Sequence, residues 1–405
     1  MDEGRDGSVQ RRERYVVIDE VMRHLDVAGQ APFRGRSVLA VQHVHSSLVP
    51  LVDALCAGGA DHTRVTVVGK SYSTRLPAVD ALRDRGVTVV DPHRMSDPLR
   101  SYEDELDARV ERTLEALRGA PGGDAPLLVV DEGAVATKVL ARRPDLAGTV
   151  HVVEQTTRGA RWVDSAAVRF PVVDVARSAA KAGLEAPLVA GSMVSRLTEV
   201  LPALGRSPRR AGVVGYGRMG ARLAALLGRH FEVAVHDVDP GNAAAARGDG
   251  LPVCDFDRLL GDVDLLMGCT GTGILDDTRL DRARRPVILV NGASSDLEFV
   301  LWHHRRPDAM LPASSGEPGQ PWLNHYVVRL SHPHVLLAGG FPINFHGTGE
   351  PISAQDFQVT RALMLAGAVQ AVNRTEPGLV PLDPTIQHVI ADAFASRDAI
   401  GVLPS

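Results

Sequence analysis

Apolar residues come in short blocks that end in polar residues. SVLAVQHV (37–44) is a strand-like run, and SSLVPLVDALCAGGA then shows helical spacing with glycines at its end. RVTVVG, VTVVDP, PLLVVDEG and TVHVVEQT read as further buried strands, with TVHVVEQT closing the series. LPAVDALRDRG and SYEDELDARVERTLEALRG read as the helices between them. Strands alternating with helices through short links predict a parallel sheet covered by helices. Residues 1–30 read as a charged lead-in helix, and 176–204 as a helical connector interrupted at Pro187. A second strand–helix series starts at Arg210, with AGVVGYGRMG, FEVAVHDVDP, VDLLMGCTG and PVILVNGAS. Ser314–Gln320 reads as a Gly/Pro/Ser-rich loop, and 376–405 as a Pro-punctuated tail with one helix.

The pattern predicts an α/β chain of two Rossmann-like, doubly wound domains joined by hinge helices. The expected divisions are 1–187 for substrate, 188–349 for a dinucleotide, and 350–405 for a return helix and short tail. Parallel sheets present ligands at the carboxyl ends of their strands. His43, His45, Ser73, Thr74, Asp131, Glu132, Gln155, Thr156 and Thr157 stand at such ends and are site candidates, with helix capping as their alternative use.

In AGVVGYGRMGARLAALLG a strand is followed by Gly215-x-Gly217-x-x-Gly220 and a helix, and the next strand ends in Asp237. Gly215 permits the tight turn, Gly217 close backbone approach to a pyrophosphate, and Gly220 close helix–strand packing. A carboxylate at 237 can accept from the adenosine ribose hydroxyls and would repel a 2′-phosphate, which favours NAD over NADP.

Composition narrows the class. The 405 residues carry a net charge of −5, with 44% hydrophobic and 23% charged residues, unlike a disordered chain. The pI near 6.3 gives no basic footprint, so no nucleic-acid partner is expected. No long uncharged apolar stretch indicates a membrane span, and the N-terminus lacks an apolar signal core; a cytoplasmic location is the expectation. Cys56, Cys254 and Cys269 are too scattered for a disulfide framework and read as small core residues. The histidines at 303–304, 325, 332, 334 and 346 lack a coherent ligand spacing; no metal is expected, and most read as surface residues. Only three lysines (Lys70, Lys138, Lys181) stand against 41 arginines, so any lysine in a pocket stands out.

From about Ser37 to Arg397 the sequence resembles the S-adenosylhomocysteine hydrolases (adenosylhomocysteinases). The matching segments occur in order: LAVQHVHSSLVPLVDALCAGGA, YST (72–74), VVDEGAVAT (129–137), EQTTRG (154–159), FPVVDVARSAAKAGLE, GYGRMG, HDVDPGNAAAA, CTGTG and GGFPINFHGTGEPIS (339–353). The resemblance implies an NAD enzyme that transiently oxidises a nucleoside 3′-hydroxyl, removes the C4′ proton and eliminates the 5′ substituent. It places His43, Glu132, Lys181 and Glu185 in catalysis, with Lys181 as base for the hydroxyl, Glu132 for the carbon proton, and His43 as leaving-group acid. An i,i+4 surface ion pair is the alternative for Lys181 and Glu185. It places His45, Ser73, Thr74, Gln155, Asn344 and Glu350 around the substrate. It places Thr156, Thr157, Gly215, Gly217, Arg218, Met219, Gly220, Asp237, Asn242, Thr270, Gly271, Ser294 and Asn344 around NAD. It also implies a homo-oligomer, dimer or tetramer.

The sequence departs from that family's pattern in groups that grip sugar and base. Gln155 stands for a glutamate, Glu185 for a shorter acid, Ala186 for an asparagine, and Ser294 and Glu350 for histidines. His45 and Ser47 stand for the threonine and glutamate of the base-contact helix, and the family's C-terminal extension is not present in this sequence. Retained chemistry beside altered grips gives the leading expectation of a nucleoside dehydratase in specialised metabolism, leaving an exocyclic alkene. Hydrolysis of S-adenosylhomocysteine is the alternative, and a non-catalytic NAD-binding regulator the second.

Overall fold

The computed structural model describes residues 15–90, 97–312, 325–330, 333–347 and 349–400. The first fourteen residues of the lead-in segment, the Ser314–Gln320 loop, His332 and the last five residues of the tail lie outside them.

Among the described residues, fourteen strands form two seven-stranded sheets. In chain order they are β1 (Ser37–Gln42), β2 (Val65–Gly69), β3 (Thr88–Val90), β4 (Leu127–Asp131), β5 (Val150–Glu154), β6 (Pro171–Asp174), β7 (Arg210–Val214), β8 (Glu232–His236), β9 (Leu265–Gly268), β10 (Ile288–Asn291), β11 (Met310–Pro312), β12 (Tyr326–Arg329), β13 (Val335–Leu336) and β14 (Gly378–Pro381). The first sheet runs β14-β6-β5-β4-β1-β2-β3, parallel throughout. The second runs β11-β12-β13-β10-β9-β7-β8, parallel except where β12 joins β13 and β11. The fold is the expected pair of Rossmann-like units.

The first sheet is wider than its sequence pattern suggests. TVHVVEQT does not close it: β6 and β14 extend the edge, with Leu379 paired to Val172. β6 runs straight into the helical connector, and β14 is taken from the punctuated tail. Its Pro381 is tolerated because an edge strand need not donate on its free side.

Each sheet reverses its winding beside its first strand. In the first sheet the switch lies between β1 and β4, and in the second between β7 and β9. These positions open crevices at the strand ends. Helix Ala186–Ala203 has Pro187 as its second residue and continues directly from the π-helical turn Lys181–Glu185, so the helical path runs through the expected interruption with a change of period just before the proline. Its Ala190, Met193 and Leu197 pack with Leu223 and Leu227 of helix Arg218–Leu227. The return helix, Ala354–Val372, is buried on nearly every side under the first sheet. A Cβ at its Gly367 would lie 2.6 Å from Val153 and 2.9 Å from Val175, so only glycine allows this approach.

Candidate active site

The two crevices join in one cavity of about 1000 Å³, within the range of small-molecule sites. His43, His45, Glu132, Gln155, Thr156, Thr157, Lys181, Glu185, Ser294 and Asn344 line it, together with Gly215, Gly217, Arg218, Met219, Asp237, Asn242, Thr270 and Gly271. Ser73, Thr74, Gly220 and Glu350 are not on its wall. Ser73 and Thr74 both donate to the Lys70 carbonyl, at 3.0 and 2.9 Å. Glu350 accepts from the backbone and hydroxyl of Ser46, each at 2.6 Å, and so ties the return segment to the first unit.

His43 follows β1, and Glu132 follows β4, its neighbour. His43 Nε2 lies 2.8 Å from Glu132 Oε1, and its Nδ1 lies 2.5 Å from Ser73 Oγ. Lys70, after β2, donates to the same Glu132 oxygen at 2.9 Å and is fully buried. Burial opposes ionisation of Glu132, yet His43 and Lys70 together hold its carboxyl far below the usual range. Burial lowers the affinity of His43 for its proton, against the pull of Glu132. His45 is lowered much further by burial and by the nearby His43, Arg75 and Arg361, so it stays neutral.

The other acids at these strand ends serve the scaffold. Asp131 accepts from Thr137 N and Oγ1 at 2.8 and 2.6 Å. Glu154 accepts from Gly133, Ala134 and Thr156 backbones, and burial beside Asp131 pushes it up to about 7. Lys181 and Glu185 sit on a π-helical turn between β6 and the helix at 186, and their side chains form an ion pair on the cavity wall. Such turns often stand at functional sites.

Several charged groups escape sequence reasoning. Arg361 of the return helix is buried and donates to Gln42 Oε1 at 2.7 Å, to Ser47 Oγ and to the His43 carbonyl. Burial lowers its pKa to about 10. Arg158, beside the predicted Thr156 and Thr157, grips Glu103 with two 3.0 Å bonds. Only the scarcity of lysine pointed toward Lys70.

The dinucleotide turn passes a steric test. Gly215 has φ +93°, and a Cβ on Gly220 would fall 1.8 Å from the Gly215 carbonyl oxygen. At Gly217, the N-cap of helix Arg218–Leu227, a Cβ would meet nothing within 4 Å, which leaves room for a pyrophosphate. Asp237 accepts from Tyr216 N at 2.5 Å and Asn242 Nδ2 at 3.1 Å, which aims it at this turn. Glu298 accepts from Thr270 Oγ1 and the Gly271 backbone beneath the loop after β9, and burial pushes it up to about 7. These residues fit NAD.

Elsewhere, His325, His334 and His346 are buried, against the surface expectation: His325 and His334 directly precede β12 and β13 of the second sheet, His334 Nδ1 accepts from Val287 N at 3.2 Å, and His346 follows the short turn Ile343–Phe345. Among the described residues, Asp277, His303 and His304 could converge on a cation. Here Asp277 already takes both imidazoles, at 2.8 and 2.7 Å, away from the cavity wall. The three cysteines are free thiols. No helix among the described residues is long and apolar enough to cross a membrane.

No protein-family model matches the chain. It is 28% identical over 341 residues to an uncharacterized protein of Mycobacterium tuberculosis, covering 83% of this chain but only 64% of that protein, less than two thirds of its length. It is 28% identical over 381 residues to the S-inosyl-L-homocysteine hydrolase of Methanopyrus kandleri, covering 90% of this chain and 83% of that one. It is 26% identical over 382 residues to the adenosylhomocysteinase of a Nostoc species, with the same coverage. The chain is therefore similar, at a distance, to the adenosylhomocysteinases, and its second unit carries the glycine turn and Asp237 that fit NAD.

Proposed function

We propose that this protein is an NAD-dependent enzyme that eliminates the 5′ substituent of an adenine nucleoside, with net loss of water to leave an exocyclic alkene. The observation that carries this is a set of buried, unpartnered polar atoms on side chains that line one cavity. His45 Nε2, Glu132 Oε2, Gln155 Oε1 and Asn344 Oδ1 have no hydrogen-bond partner among the described residues, and all four side chains line the cavity. Leaving such atoms bare costs about 1–3 kcal/mol each, so a ligand rich in hydroxyl and amine groups fits them.

Bound against Gly215–Gly220, NAD supplies reversible two-electron oxidation of a secondary alcohol. Lys181, once it has passed a proton to its ion-pair partner Glu185, receives the proton of that hydroxyl. A ketone beside C4′ acidifies its hydrogen, and Glu132 Oε2 is the free carboxylate oxygen that accepts it. His43 Nε2 protonates the departing group. Gln155 and Asn344 orient the sugar.

The test uses purified full-length protein with its resident cofactor. Adenosine, S-adenosylhomocysteine and sugar-modified adenine nucleosides are added while reduced-nicotinamide absorbance and product mass are followed. A product lighter by one water supports the dehydratase. Release of homocysteine supports a second reading, thioether hydrolysis, which the likeness to adenosylhomocysteinases favours. A cofactor that never becomes reduced with any nucleoside counts against both.

A further inference from the structure

Glu132 divides its two oxygens between different tasks. Oε1 takes Lys70 Nζ at 2.9 Å and His43 Nε2 at 2.8 Å, whereas Oε2 is buried without a partner on a side chain that lines the cavity. Lys70 does not reach the cavity wall and is 0% exposed. Its backbone also serves the site: the Lys70 carbonyl accepts from Ser73 Oγ, which meets His43 Nδ1. One residue therefore braces both members of the pair, Glu132 through its ammonium and His43 through Ser73.

A carboxylate with histidine as its sole partner strengthens the histidine's hold on its proton and makes it a poorer acid. A second cation on the same oxygen divides that attraction. Arg361 faces the pair from the return helix and pulls the same way on His43, while the Tyr72 phenol beside Glu132 is held neutral. The groups around the pair thus favour an ionised Glu132 and a readily released His43 proton.

We propose that Lys70 is a positioning residue that keeps Glu132 ionised with Oε2 free, and that it tunes His43 to protonate an oxygen leaving group. The inference rests on the elimination reading above. A thiolate departs without help, its acid having a pKa of about 8.5, whereas hydroxide, whose acid has one of about 15.7, requires a proton. In the step, Glu132 Oε2 takes the C4′ proton and the C–H electron pair becomes the C4′=C5′ bond. The C5′–O bond breaks with its electrons on oxygen, and His43 Nε2 gives that oxygen a proton, releasing water. Transfer of the captured proton from Glu132 to His43, its hydrogen-bonded neighbour, restores the starting state.

The test compares wild-type protein with Lys70→Met and Lys70→Arg, all full length with resident cofactor. Carbon-13 NMR of glutamate-labelled protein follows the Glu132 carboxyl across pH, with Glu132→Gln identifying its signal. The expected result is a Lys70→Met carboxyl signal that titrates at higher pH than the wild-type one, with restoration by Lys70→Arg. In Lys70→Met turnover falls for both leaving groups through the less ionised Glu132, and it falls further, about 100-fold or more, for a nucleoside with a 5′-oxygen leaving group than for a thioether. Should Lys70→Met fail to fold, Lys70→Gln, which keeps a donor, gives the same comparison. An unmoved carboxyl signal in the neutral variant overturns the positioning role. Equal losses for both leaving groups overturn the tuning of His43. A moved signal in protein that turns over no nucleoside overturns the elimination reading instead.

Discussion

His43 Nε2 and Glu132 Oε1 lie 2.8 Å apart at the ends of adjacent parallel strands, β1 and β4, where the first sheet reverses its winding. Both residues line the cavity that the Gly215 turn also lines. His43→Ala removes the group placed to protonate the departing substituent. The expected outcome is a turnover loss of about 100- to 10,000-fold with cofactor reduction by substrate retained, measured as single-turnover absorbance against steady-state product.

Asp237 is the acid at the end of β8, held by Tyr216 N and Asn242 Nδ2. Asp237→Ala should weaken NAD binding about tenfold to a hundredfold, the range for a charged hydrogen bond, and narrow the preference over NADP. Calorimetric titration of cofactor-stripped protein with each dinucleotide checks this.

Gly220 leaves no space for a side chain, since a Cβ would press on the Gly215 carbonyl at 1.8 Å. Gly220→Ala should cost about 1–3 kcal/mol through displaced backbone and reduce copurifying NAD. Thermal melts with and without added NAD separate the two effects.

Arg305 and Asp296 form an ion pair at 2.8 Å with neither side chain exposed. Asp296 also accepts from Tyr102 N, so the pair joins the second unit to helix Tyr102–Gly119 of the first. Arg305→Met strands a buried carboxylate and should cost about 3–5 kcal/mol. Denaturant unfolding tests it, and Arg305→Met with Asp296→Leu should recover much of the loss.

Glu298 releases its proton at about 7 in the fold, raised by burial from the ordinary 4.5. Between these values the folded chain holds more protons than the unfolded one, so this group's stabilisation is complete below about pH 4.5 and lost as pH rises through about 7. Glu298→Gln removes the titration. Relative to wild type, the variant should gain about 3 kcal/mol between those pH limits, with no further gain above them. Melting curves from pH 4 to about 8 measure it.

Much of this protein was legible locally. The alternation of β1 to β5 with helices, and the turn from Gly215 to Gly220 followed by Asp237, are set by neighbouring residues and by what a tight backbone can hold. β6 escaped because it runs straight into the helical connector, and β14 because it acquires its strand identity from the edge it joins. The sequence also placed His43, Glu132 and Lys181 among the candidates, by resemblance and by position at strand ends. Tertiary structure alone decided which acids face the cavity: Asp131 and Glu154 are consumed by loop backbone, while Glu132 keeps one oxygen free. It alone brought Lys70 to Glu132, Arg361 to Gln42 and Arg305 to Asp296. No sequence period encodes such pairs, because each exists only when strand order and helix packing bring distant side chains together with water excluded. A buried charge then takes whichever partner lies within reach.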